Sequence, residues 1–160
     1  MKSFWLVDWG STSSSRLPSE HSQSRIAESD SEASIFARLV QRLFKQRVMQ
    51  IERRCRIIGV DNPIHLVASH CKPWRDSTNE ERLNGENGLL LTPSSDHLFN
   101  RGFIGFEDSG RLVISPVAHL SSLERMGIDT HGAVNVGGFT EGQRRYMDFH
   151  RNAIPLRAAR

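Results

Sequence analysis

Four side chains in the middle of this chain have types and spacing that suit chemistry: His70, Asn87, Asp96 and Asn100. Val67 to Trp74 reads VASHCKPW, so an apolar run carries His70 to its end and a Lys72-Pro73-Trp74 corner follows. An imidazole at a strand end is either a packed ring or a reagent, and its own strand favours packing. Asn87 lies 17 positions later, in the dipeptide Asn87-Gly88, and Asp96 nine positions after that. Asn100 follows Asp96 by four residues, a step that puts both on one face of a helix. Two oxygens side by side are ligands of the kind that a hard cation such as Mg²⁺ takes.

The elements around these residues follow from periodicity and turn chemistry. Phe36, Leu39, Val40, Leu43, Phe44, Val48 and Ile51 recur at three- and four-residue steps, which predicts an amphipathic helix over 33–53. The runs 55–60 and 64–69 flank Asp61-Asn62-Pro63 and read as a β-hairpin. Residues 75–88 are polar and rich in Asn and Gly, hence a loop, with a helical turn in NEERL. Thr92-Pro93 opens a short helix that stops at Gly102. FIGF and RLVISP, joined by the turn EDSG, predict a second hairpin. SSLERMGI reads as a short helix, and Thr140 caps a second amphipathic helix.

The pieces CRIIGV, ASHCKPW, ERLNGENGLLLTPSSDHLFNRGFIGF and GRLVISP together resemble the HNH endonuclease family, in its restriction-endonuclease-type branch. The resemblance runs from about Cys55 to Pro116. The preceding RRC and the late GQRRYMDFHR look like the same branch. It implies an α+β fold, in which a ββα-metal core of a β-hairpin and short helix is joined by a second hairpin and flanking amphipathic helices. It also implies metal-dependent hydrolysis of DNA phosphodiester bonds, leaving 5′-phosphate ends, in restriction or antiphage defence.

Carried over residue by residue, the resemblance makes His70 the general base. Its imidazole has an ordinary pKa near ~6.5, so the neutral form is available in a cell. Asn87 would tie the loop to the hairpin and help fix the histidine. Asp96 matches a metal ligand. Asn100 stands where this branch usually has Asp; an amide oxygen ligates without adding charge. The cofactor implied is Mg²⁺ or Mn²⁺. Lys72 and Arg101, next to the proposed site, are expected to meet phosphate, as are Arg53 and Arg54. His65 and His97 are expected to stand outside the chemistry, His150 to pack or to meet phosphate, and Trp74 to cover the hairpin as core. The acidic loop residues Asp76, Glu80, Glu81 and Glu86 read as a solvated face turned away from DNA.

Composition bounds the rest. The chain has 160 residues, 38% hydrophobic and 24% charged, which suits one globular domain. Its Ser-rich start predicts a flexible segment over 1–32, followed by a nuclease domain over 33–160 with a catalytic core at 55–116 and a C-terminal helix at 140–153. No apolar run approaches the roughly 20 residues of a membrane span, and the start lacks a secretory signal pattern. A cytoplasmic protein with reduced Cys55 and Cys71 is expected. No CxxC occurs, so no structural zinc is expected. Net charge is +3 with arginines clustered near both ends of the domain, which suits a polyanion such as DNA. Two other readings stay open: a non-catalytic DNA-binding module on the same fold, and an effector switched on by a regulatory partner protein. Cutting both strands would favour a homodimer.

Overall fold

The computed structural model describes residues 20–154, and their side chains from residue 31. The chain divides into two units, Met1–Phe36 and Ala37–Arg160. Helix α1 runs Glu20–Met49, longer at its start than the expected 33–53. The Ser-rich composition of 20–32 weighs against burial, not against helix. Accordingly α1 is exposed from residue 31 to 39, and its apolar pattern is buried only near its end, at Phe44 and Val48. The first 19 residues of the expected flexible segment lie outside the described residues.

After α1 the expected strand at 55–60 is instead a closed turn. The Cys55 N–H donates to the Val60 carbonyl at 2.7 Å and the Gly59 N–H to the Cys55 carbonyl at 2.8 Å. Gly59 takes a φ of +78°, which a β-branched residue could not adopt without strain. Six residues closed on themselves leave no edge for pairing. The first hairpin therefore forms elsewhere. Strand β1 (Val67–His70) pairs antiparallel with β2 (Gly88–Leu91), and His70 lies opposite Gly88. The apolar piece Leu89–Leu91, fully buried, is the missing partner strand. The loop between the strands carries the short helix α2 (Asn79–Leu83), opened by a Thr78/Glu81 capping box.

Helix α3 (Pro93–Asn100) follows β2 directly, with Pro93 in its first turn. The Thr92 hydroxyl donates to Ser95 Oγ rather than capping a backbone N–H. The second hairpin is β3 (Ile104–Phe106) with β4 (Leu112–Ile114), as its turn chemistry predicts. Helices α4 (Leu120–Arg125) and α5 (Glu141–Ala153) complete the order, α5 opened by a Thr140/Gln143 capping box. The architecture is thus α+β, two small antiparallel hairpins among five helices in the described residues.

Phe99 and Leu98 of α3, Ile104 and Phe106 of β3, Leu89–Leu91 of β2 and Met147 of α5 share one core. A polar clamp ties the chain after α1 to α5. Glu52, 2% exposed, accepts two hydrogen bonds of 2.6 Å from Arg56 and one of 2.7 Å from Gln143 Nε2. A buried carboxylate is tolerable only when paired and hydrogen-bonded in this way. Cys55 and Cys71 are free and buried, and burial pushes the Cys71 thiol up, away from reactivity.

His150 on α5 packs rather than facing solvent. Its ring stacks on Phe99 at 3.7 Å between centroids, and its Nε2–H donates to the Phe99 carbonyl at 2.9 Å. Its Nδ1 is buried without a partner. Protonation would put a charge there with no acceptor, so burial lowers the pKa from 6.5 to about 4. The unfolded chain then binds the proton more readily between these values. Stability from His150 is full above pH 6.5 and falls as pH drops toward about 4, by about 3 kcal/mol in all. Urea unfolding of wild type at pH 7 and pH 5 should show about 2 kcal/mol of this loss, and His150→Leu should flatten it; an equal slope in both proteins would refute the assignment.

Candidate active site

His70 ends β1 and is held on three sides. Its Nε2 lies 3.0 Å from the carbonyl oxygen of Arg82 at the end of α2. A carbonyl only accepts, so Nε2 carries the hydrogen and the neutral ring keeps its lone pair on Nδ1. Phe44 of α1 stacks on one face of the ring, with centroids 3.7 Å apart and planes within 4°. Trp74 meets the ring edge at 5.9 Å. Nδ1 has no hydrogen-bond partner. The one buried partnerless side-chain polar atom among the described residues is His150 Nδ1, so Nδ1 of the half-buried His70 is not sealed from solvent. Burial of the rest of the ring lowers its pKa, against the opposing pull of the Arg82 carbonyl.

Asn87 is fully buried and touches no solvent. Its Oδ1 accepts the Lys72 N–H at 2.8 Å. Its Nδ2 donates to the Glu81 carbonyl at 3.0 Å, the Lys72 carbonyl at 3.3 Å and Ser77 Oγ at 3.4 Å. The Asn87 carbonyl takes the Cys71 N–H at 3.0 Å. One side chain thus closes the loop from residue 71 to 87. That loop carries the Arg82 carbonyl, so Asn87 acts on the histidine through the backbone.

Asp96 and Asn100 share a face of α3, as their spacing requires. Asn100 Nδ2 donates to Asp96 Oδ1 at 2.8 Å, while its Oδ1 accepts from the buried Ser69 hydroxyl at 3.5 Å. The carboxylate can only accept, which sets the amide with its nitrogen toward Asp96. The Ser69 contact brings this face of α3 to the residue before His70. Among the described residues there is no cluster of three His, Cys, Asp or Glu able to hold a metal. The donor set on offer is one carboxylate and one amide, both hard. That fits Mg²⁺, which is bound through one or two protein oxygens and keeps its waters. Offering the amide oxygen as well requires Asn100 to turn its amide over.

The basic residues divide. Arg53, Arg54 and Arg101 are exposed, and no ion pair engages them among the described residues. Lys72, in contrast, is tied down: its ammonium sits 2.7 Å from Glu81 and 5.5 Å from the Phe149 ring. The acidic loop also differs from its expected role. Glu81 anchors Lys72, and Glu86 Oε1 accepts from the Thr140 hydroxyl at 2.9 Å. These two carboxylates brace the structure from within and do not form a merely solvated face. Trp74 is 45% exposed rather than core, with the Arg82 guanidinium 4.7 Å from its ring centroid. His65 and His97 are exposed.

Sequence reading missed Phe44 and Arg82 as parts of the site. Phe44 had the helical spacing of a core residue, which it also is. Arg82 acts through its backbone, which leaves no trace in side-chain type.

Residues 55–107 match the family model described as HNH endonuclease, which places this segment in the HNH endonuclease family. The family implies a nuclease or DNA-binding function with DNA as the substrate. HNH nucleases generally use a divalent metal. Among curated proteins, none matches the chain. No helix among the described residues is long and apolar enough to cross a membrane.

Asn87→Asp keeps the side chain's size but removes both amide donors and faces a carboxylate toward two carbonyls. It should cost about 3 kcal/mol in urea unfolding. A variant as stable as wild type would show that Asn87 does not close the loop.

Proposed function

We propose that this protein is a metal-dependent endonuclease that hydrolyses DNA phosphodiester bonds, with His70 as general base. The observation that carries the reading is the state of that ring: Nε2–H fixed on the Arg82 carbonyl, Nδ1 unpaired and not sealed from solvent. A base needs a lone pair, a fixed direction and access to water, and Nδ1 has the first and third while the Arg82 bond and the Phe44 stack supply the second. Burial lowers the proton affinity of the ring, which favours the neutral form that a base must have.

In the reaction, His70 Nδ1 takes a proton from water, whose oxygen attacks phosphorus. The bond from phosphorus to the 3′ oxygen breaks, and that oxygen takes a proton from solvent water, leaving 5′-phosphate and 3′-hydroxyl ends. Asp96 and Asn100 would hold the divalent cation, Mg²⁺ or Mn²⁺. When bound, it supplies positive charge at the nonbridging and leaving oxygens. Arg53, Arg54 and Arg101 would meet backbone phosphates, which places the protein on DNA without reading sequence. Lys72 would do so only by giving up Glu81. The setting we infer, restriction or antiphage defence, rests on the likeness of the motifs to the restriction-type branch.

A second reading has one observation in its favour. With the Asn100 nitrogen turned toward Asp96, a single carboxylate stands at the cation position, which suits a module that binds DNA without cutting it. Supercoiled plasmid incubated with the full chain and Mg²⁺ or Mn²⁺ separates the two. Cleavage by wild type, its loss in His70→Ala and on chelation, and ligatable 5′-phosphate ends are expected. Equal behaviour of wild type and His70→Ala would overturn the nuclease reading, and salt-dependent binding without cleavage would establish the second.

A further inference from the structure

We infer that Phe44, which lies outside the matched segment 55–107, is a positioning residue for His70, and that Gly88 is glycine in order to admit it. The inference rests on His70 acting as general base.

Gly88 is the strand partner of His70. A Cβ placed at Gly88 would overlap Val48 Cγ2 and lie 2.8 Å from Phe44 Cζ. Real Cβ atoms do not come so close, so a side chain at 88 would force Val48 and Phe44, or the helix end that carries them, to shift. The missing side chain is therefore a slot, and Phe44 and Val48 of α1 fill it. Both are buried, at 2% and 0% exposure. Phe44 is thereby brought face to face with the imidazole at 3.7 Å.

That contact fixes what the Arg82 bond leaves free. A single hydrogen bond at Nε2 restrains one atom and lets the ring tilt out of line, which weakens that bond and its hold on the tautomer. A parallel ring at van der Waals distance restrains the plane. Together they define where the Nδ1 lone pair points. A misdirection of about 1 Å at a catalytic group can cost roughly 100-fold in rate. The Asn87-Gly88 dipeptide then serves the same imidazole twice. Asn87 holds the loop that offers the Arg82 carbonyl, and Gly88 makes room for the ring that lies on the face.

The test uses the full chain and two routes to the same ring. Phe44→Leu keeps the site apolar and removes the flat face, at the cost of some buried volume. Gly88→Ala leaves Phe44 intact but displaces it. The ¹⁵N resonances of the His70 ring, assigned by their absence in His70→Ala, report the tautomer independently of activity. Wild type should be in the Nε2–H form. Both variants should show mixed tautomers and a broadened Nε2–H proton. On plasmid, kcat should fall roughly 10- to 100-fold with KM unchanged. Leu123→Ala, a core variant on α4, controls for destabilisation alone and should keep the wild-type tautomer and kcat. If His70→Ala abolishes cleavage while Phe44→Leu keeps both the wild-type kcat and the pure tautomer, the positioning role is wrong and the nuclease reading stands. If wild type and His70→Ala do not differ on DNA, the nuclease reading has failed. The ring resonances then decide alone, and an unchanged Nε2–H form in both variants overturns the role of Phe44.

Discussion

Everything proposed for this protein hangs on one hydrogen bond, from His70 Nε2 to the carbonyl of Arg82. It selects the tautomer, and the tautomer decides which nitrogen has a lone pair to offer. A backbone carbonyl is a good choice for this task because it cannot donate and cannot be protonated near neutral pH. The constraint passes outward from there. The carbonyl must be held still, so the loop of residues 71–87 must be closed. Asn87 closes it by satisfying both ends of its amide inside the protein. The Thr78/Glu81 capping box shapes the helix that ends near Arg82, and Glu81 also anchors Lys72.

The chain contains its own control for this arrangement. His70 and His150 are each stacked on a phenylalanine at 3.7 Å and 4°, and each places Nε2 against a backbone carbonyl. Stacking and tautomer are therefore not what distinguishes them. Burial is. His150 is 1% exposed and its Nδ1 is sealed, so its proton affinity is lowered by burial to about 4 and no water can reach it. His70 is buried enough to lower its pKa, but its Nδ1 is not sealed. The same local device yields a core residue in one place and a candidate reagent in the other.

How much of this was legible in the sequence depends on the kind of signal. Capping residues, the EDSG turn and the Thr92-Pro93 helix start act locally, and elements built from them formed where expected. The first hairpin did not, because pairing is a non-local choice. Residues 55–60 have strand composition, yet Gly59 lets them close on themselves, and β1 takes its partner from across the loop. The spacing of Asp96 and Asn100 fixed their shared face, and Asp96 sets the direction of the Asn100 amide, while the Ser69 contact, from 31 residues earlier, left no mark on that spacing. Glu81 and Glu86 looked solvated by charge alone. Their partners, Lys72 and Thr140, lie on other segments, and composition carries no record of such pairs. The Arg82 carbonyl is the extreme case, since any residue type could supply it.

The most direct measurement is the pH dependence of single-turnover DNA cleavage at saturating Mg²⁺. The rate should rise with pH as neutral His70 forms, with a midpoint below 6.5, because burial lowers the proton affinity of that ring. A midpoint at or above 6.5, or a limb that survives in His70→Ala, would contradict a partly buried His70 as the base.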